Sequence, residues 1–239
     1  MIVLAIDTCE VRGSIALLHD DAILEVVPHV SSEEYSCWLL PAVDAALESA
    51  KTTLGQVGVF AVASGPGSFT GVRIGLTTAK AWSEVFGKPI VAVSRLEAVA
   101  AQSQRASPYV ASFIDAQRGQ IFGALYKKTE SGLTLIEQEM VATPEIFIEW
   151  VSEQVAGNEV TWISTDPDTV ANQSAWQGSA PQNEKIQYVP CILAPIIGKI
   201  AFEQAMHGNA QDALSVDANY VRRSYVEVFQ KGSAHVPGK

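Results

Sequence analysis

Ile6-Asp7-Thr8-Cys9-Glu10-Val11-Arg12-Gly13-Ser14-Ile15-Ala16-Leu17 returns in outline, 108 positions later, as Ile114-Asp115-Ala116-Gln117-Arg118-Gly119-Gln120-Ile121-Phe122-Gly123-Ala124-Leu125. Each copy reads as a strand ending in Ile-Asp, a turn, Arg-Gly and a return strand. The flanks match as well. Ile23–Val27 and Leu133–Val141 read as third strands, and each is followed by a helix with a Ser or Thr start: Ser31 or Ser32 before Glu33-Glu34, and Thr143-Pro144-Glu145. A dipeptide recurs easily by chance. The same order of elements around it makes duplication the better reading.

Working outward, the first helix should run to about Lys51 with Pro41 as a kink, and Val57–Ser64 is the next strand. A glycine-rich turn, Gly65-Pro66-Gly67-Ser68-Phe69-Thr70-Gly71, leads into a helix from about Val72 to Phe86. Pro89–Val93 is a strand, and Ser94 caps a helix to about Gln104. Val160–Ser164 and Leu193–His207 read as a late strand and a late helix. Two such halves point to an α/β protein with a duplicated actin-like (ASKHA, ribonuclease H-like) fold, as shared by actin, acetate kinase and sugar kinases. It would have two lobes, residues 1–106 and 107–239, each with a mixed sheet and helices, and a C-terminal helix able to pack back on the first lobe. In that architecture the Asp-containing turn faces phosphate across a cleft.

Length and charge bound the function. The 239 residues suit one large domain or two small ones, and 48% apolar with 18% charged residues argues against disorder. The net charge of −10 argues against a protein that grips nucleic acid through its own surface. Residues 1–60 carry two bases against nine acids, whereas residues 61–110 carry five against two. The one net-positive segment thus holds the glycine cluster. Cys9, Cys37 and Cys191 form no CxxC, and the four histidines make no pair at helical metal-ligand spacing. An opening strand without a basic leader, and apolar runs broken by Arg95 and Lys199, predict a cytoplasmic protein with no membrane span.

Candidate chemistry is sparse. The turn Gly65–Gly71 could aim backbone N–H groups at an anion, but its pattern is GxGxxxG and no Gly-Lys-Ser/Thr follows. Asp7, Thr8, Gly65, Gly67, Ser68 and Gly71 are the candidates for a cradle of phosphates and Mg²⁺ in an ATP-dependent phosphotransferase, the rival reading. Asp7 and Asp115 serve equally well as turn-stabilising acids. No base is legible beside Cys9 or Cys37, and Arg222 and Arg223 make an isolated basic spot. Gly71, Gly75, Ala79 and Ser83 lie at i, i+4, i+8 and i+12, a stripe of small residues with a counterpart at Ala42, Ala46 and Ala50. The stripes suit either close packing on the chain's own sheet or a face for another subunit, with Tyr35 and Trp38 as anchors.

Ser64-Gly65-Pro66-Gly67-Ser68-Phe69-Thr70-Gly71-Val72-Arg73-Ile74-Gly75-Leu76, with Ala79-Lys80, closely resembles the TsaB (YeaZ) family. Leu4-Ala5-Ile6-Asp7-Thr8, Leu39-Leu40-Pro41, Ile114-Asp115-Ala116 with Arg118-Gly119, and Tyr220-Val221-Arg222 share in it; residues 130–215 do not. The resemblance implies a non-catalytic subunit of the bacterial tRNA threonylcarbamoyladenosine system. Its partners would be the catalytic paralogue TsaD and the ATPase TsaE, or a second copy when alone, with tRNA reached only indirectly and ATP or ADP held, if at all, in the complex. TsaD-type proteins bind metal through HxxxH, whereas residues 95–115 here hold no histidine. The resemblance also places helices 33–51 and 72–86 at the subunit interface, with Tyr35, Trp38, Leu39, Ala42, Ala46, Gly71, Gly75, Ala79 and Ser83 as its residues. On that expectation, Gly75→Leu or Ala79→Arg would break association and spare the fold. One departure is Ser31-Ser32-Glu33-Glu34-Tyr35, where the family has a His-Ser-Glu-like start, so no family preference transfers to Ser32.

Overall fold

A computed structural model describes residues 1–30, 32–179 and 185–221. The first half is built from β1 (Ile2–Asp7), β2 (Ser14–His19), β3 (Ala22–Pro28), α1 (Tyr35–Ser49), β4 (Val57–Gly65), α2 (Phe69–Phe86), β5 (Ile90–Ser94) and α3 (Arg95–Ala100). The second half repeats the order with β6 (Tyr109–Gln117), β7 (Gln120–Thr129), β8 (Gly132–Ala142), α4 (Pro144–Val155), β9 (Val160–Ser164), short α5 (Asp168–Ala171) and α6 (Ser174–Ser179), β10 (Gln187–Tyr188) and α7 (Ala194–Met206). The sheets run β3-β2-β1-β4-β5 and β8-β7-β6-β9-β10. The first three strands of each are antiparallel and the last two join in parallel. Identical strand order in both halves establishes the duplicated actin-like fold.

The repeat holds down to its turns. Asp7 Oδ1 accepts the N–H of Cys9 at 3.0 Å, and Asp115 Oδ1 accepts that of Gln117 at 2.8 Å. In each copy the carboxylate thus closes the turn two residues on.

Neighbouring residues of β1 face opposite sides of the sheet. Ile6 lies against Gly75 of α2, and Ala5 against Gly198 of α7. Helices α1 and α2 therefore cover one face, and α7 lies along β1, β2, β4 and β5 on the other. Helix α3 crosses the opposite way and lies on β6, β7 and β9, touching α7. The layers run α1/α2, first sheet, α3/α7, second sheet, α4. One apolar cluster passes through both sheets, including Ile114, Ala124 and Tyr126 on the inner side of the second. A smaller one, with Phe113, Leu125, Phe147 and Trp162, sits under α4.

The start of the first helix differs from expectation. Glu34 occupies the N-cap position with no side-chain cap, so Ser32 does not cap it, and Ser31 lies outside the described residues. The entry is fixed by aromatic side chains instead, as described below. The Ser94-capped helix also ends early, at Ala100 rather than near Gln104. Among the described residues, no helix is long and apolar enough to cross a membrane.

Candidate functional site

The turn after β4 meets the turn after β1, and glycine allows them to touch. A Cβ on Gly67 would stand 2.4 Å from the Cys9 carbonyl oxygen, one on Gly71 2.0 Å from that of Thr8, and one on Gly75 2.6 Å from Thr8 Oγ1. Ser68 N–H donates to the Cys9 carbonyl at 2.7 Å, and Thr8 Oγ1 donates to the Gly71 carbonyl at 2.7 Å. Ser68 Oγ caps α2 by accepting from Gly71 N–H at 3.4 Å. The structure thus brings Asp7, Thr8, Gly65, Gly67, Ser68 and Gly71 into one neighbourhood. It fills the space between the two turns with the chain's own backbone, where a phosphate cradle would need open N–H groups.

Asp7 is fully buried, and its partner is a residue that sequence reasoning missed. Arg95, at the start of α3, is wholly buried; its Nε donates to Asp7 Oδ2 at 3.2 Å. Its Nη1 donates to Glu10 Oε1 at 2.6 Å and to the Pro66 carbonyl at 3.3 Å, while Nη2 has no partner among the described residues. Burial pulls the Arg95 pKa down, but Asp7 and Glu10 outweigh it, and the guanidinium is held charged. One cation therefore ties both turns, β1 and α3 together. Burial, reinforced by Asp7, pushes the Cys9 thiol up; with its Sγ against the Ala63 carbonyl, it is no nucleophile. Among the described residues, no three or more His, Cys, Asp or Glu side chains converge as a metal site.

Most of the expected interface residues lie inside the chain itself. Leu39, Ala42, Ala46, Gly71, Gly75, Ala79 and Ser83 are all buried within the chain, because both stripes face the first sheet and its turns. Tyr35 and Trp38 are half-buried and turned inward. Tyr35 Oη donates to the Glu10 carbonyl and accepts Gly13 N–H at 2.7 Å, and its ring stands 4.4 Å from that of His29 and 5.7 Å from Trp38. These aromatics clasp the Glu10–Gly13 turn and anchor the start of α1. Gly75→Leu would strike Thr8 and the core rather than a docking face. The outward sides of the same helices carry Leu40, Pro41, Asp44 and Ala45 on α1, and Thr77, Ala81 and Val85 on α2. Leu40 is 52% exposed and Val85 76%, large apolar side chains left to solvent.

A second, half-buried cluster lies between the lobes. Glu139 of β8 accepts from Ser94 Oγ and Tyr126 Oη on one oxygen and from Asn219 Nδ2, at 2.6 Å, on the other. Burial raises the pKa of Glu139 against these donors; burial and then the charge of Glu139 raise that of Glu97. An acid whose folded pKa is raised stabilises the fold while protonated. That contribution fades as pH climbs from the unfolded value, about 4.3, through the folded one. Glu97→Gln is therefore expected to melt above the parent at pH 8, and the gap to close at pH 4, as thermal melts at the two pH values would read.

Comparison with known proteins follows the same lines. Residues 18–175 match the family profile described as TsaD: tRNA N6-adenosine threonylcarbamoyltransferase. That match reaches well into the second lobe, beyond the motifs of the first. The tRNA threonylcarbamoyladenosine biosynthesis protein TsaB of Escherichia coli (strain K12) is 35% identical over 167 residues, 67% of this chain and 70% of the relative. TsaB of Bacillus subtilis (strain 168) is 34% identical over 151 residues, 63% of this chain and 65% of the relative. The chain thus aligns with about two thirds of the length of these two curated relatives. A crystal structure of an uncharacterized Pseudomonas aeruginosa protein with similarity to peptidase YEAZ superposes with a TM-score of 0.72 at 25% identity. It covers 92% of this chain and 99% of its own.

Proposed function

Since this chain belongs to the TsaB (YeaZ) family, we propose that it acts in tRNA threonylcarbamoyladenosine biosynthesis as a subunit without catalysis of its own. In this reading it docks on the catalytic paralogue TsaD and supports threonylcarbamoyl transfer to adenosine 37 of tRNA, with TsaE as a further partner and tRNA met only through the complex. The observation that carries the non-catalytic half is the sealed turn. Arg95 neutralises Asp7, and the Thr8–Cys9 backbone takes the space over the glycines, so the acid and the loop that could handle phosphate serve the fold. The docking surface in this reading is the outward side of α1 and α2, around Leu40 and Val85. A subunit there would favour whichever conformation of its partner it binds better.

Reconstitution with TsaD, TsaE, the carbamoyl donor and tRNA tests this. Omitting the chain is expected to lower modification at least tenfold. The double variant Leu40→Arg, Val85→Arg is expected to keep its fold, elute apart from TsaD on gel filtration, and lower modification to the same level. Modification indifferent to the chain sinks the pathway role. Undiminished association by the double variant moves the interface elsewhere.

A further inference from the structure

We propose that residues 216–220 form a latch that ties the two lobes together and covers the Ser64–Pro66 entry to the glycine-rich turn. The segment follows a turn at Asp212–Ser215, in which the Asp212 carboxylate accepts the N–H groups of Leu214 and Ser215 at 2.9 Å each. Just before that turn, Gln211 is fixed by a β-bridge to Ile90. Beyond it, Val216 is buried and its carbonyl accepts from Lys80 Nζ of α2 at 2.6 Å.

Asn219 is the bolt. Its backbone N–H donates to the Ser64 carbonyl at 2.8 Å, at the end of β4 where the glycine-rich turn begins. Its own carbonyl lies 3.0 Å from where a Gly65 Cβ would be. Its side chain donates across the cleft to Glu139 of the second lobe. One residue thus holds β4 with its main chain and β8 with its amide. Tyr220 completes the cover: its Oη accepts from Arg73 Nε at 3.0 Å, its ring lies 5.4 Å from that of Phe69, and the Arg73 guanidinium stands 3.7 Å over Phe69.

The fastening is narrow enough to open. From Leu214 to Tyr220 only the Val216 side chain is fully buried, and Leu214, Asp217 and Tyr220 are exposed. No strand ladder among the described residues holds the segment. Segments with few buried apolar groups and few backbone bonds open at a small fraction of the global stability. Pivoting about Asp212–Ser215 would release Glu139, uncover Ser64–Pro66 and free Arg73 at once. The proposal does not depend on the subunit reading.

Hydrogen–deuterium exchange on the full chain tests it. Asn219→Ala is expected to speed exchange about tenfold in two separate places, Ser64–Thr70 and the Glu137–Val141 part of β8, with the rest of the first sheet unchanged. Faster exchange confined to residues 212–221, or none, overturns the latch. Arg73→Gln loosens only the Tyr220 end, so it is expected to speed exchange at Ser64–Thr70 and leave β8 as it was. It also serves alone if Asn219→Ala does not fold, and unchanged exchange at Ser64–Thr70 in that variant overturns the proposal.

Discussion

Arg95→Met lowers the stability of this protein by about 3–5 kcal/mol, on the expectation for stripping one partner from a buried ion pair. The side chain is wholly buried, and both carboxylates it serves lie across the cleft turn from it. Its loss leaves Asp7 fully buried with a charge and, among the described residues, Cys9 to solvate it. For a domain whose total stability is about 5–15 kcal/mol, that is about a fifth or more of the whole. Urea denaturation at pH 7 reads the effect as a fall in midpoint. Adding Asp7→Asn to the same chain is expected to recover more than half of the loss, because a neutral amide no longer needs the cation. Equal midpoints for parent and Arg95→Met would show that the pair contributes nothing.

Gly71→Ala is expected to destabilise by about 3 kcal/mol, the upper part of the range for overpacking. The new methyl group would stand 2.0 Å from the Thr8 carbonyl oxygen, a backbone atom fixed in β1's turn. Gly87→Ala makes the matched control. Gly87 ends α2 in the left-handed region at φ 59°, with nothing within 4 Å of an added Cβ. There the cost is backbone strain alone, about 1 kcal/mol. Chemical denaturation of the two variants separates close packing from conformational freedom. A Gly71→Ala midpoint no lower than that of Gly87→Ala would mean that the two turns part easily.

The fold was legible because periodicity and punctuation are local. β1 spans the IVLAID run, Val57 begins β4, and Phe86 ends α2 before Gly87. The duplication was legible from Ile-Asp and Arg-Gly in register, since both copies close the same turn. The site was harder to read. Arg95 follows a strand in a sequence where a serine cap leads into a helix, so it reads as an exposed first-turn residue. Its partners lie 88 and 85 positions away. The signal was there in Val91-Ala92-Val93-Ser94-Arg95-Leu96-Glu97-Ala98-Val99-Ala100, where an arginine, with Ser94 and Glu97 beside it, interrupts a mostly apolar stretch. A guanidinium in such company is buried with a carboxylate or not at all.

The small-residue stripes show a different limit. Spacing at i and i+4 identifies a helix face and says that something comes close to it. It does not say what. At Gly71 and Gly75 that neighbour is Thr8, supplied by the chain itself, and the bulky exposed side chains on the opposite face, Leu40 and Val85, carried no periodic mark.

The crossing of α3 and α7 bears on how such a protein could arise. Each half makes a sheet, yet the helix that closes the half in sequence lies on the sheet of the other. A single half on its own would have left its last helix without the sheet it mainly packs on, and one sheet face bare. Two copies exchanging those helices about a twofold axis satisfy both needs. The present chain has the arrangement that two such copies, joined end to end, would have. Joined this way, the halves were free to diverge: Arg95 in α3 could be given over to the first lobe's turn while the second lobe kept Asp115 half-exposed and bonded to Gln117.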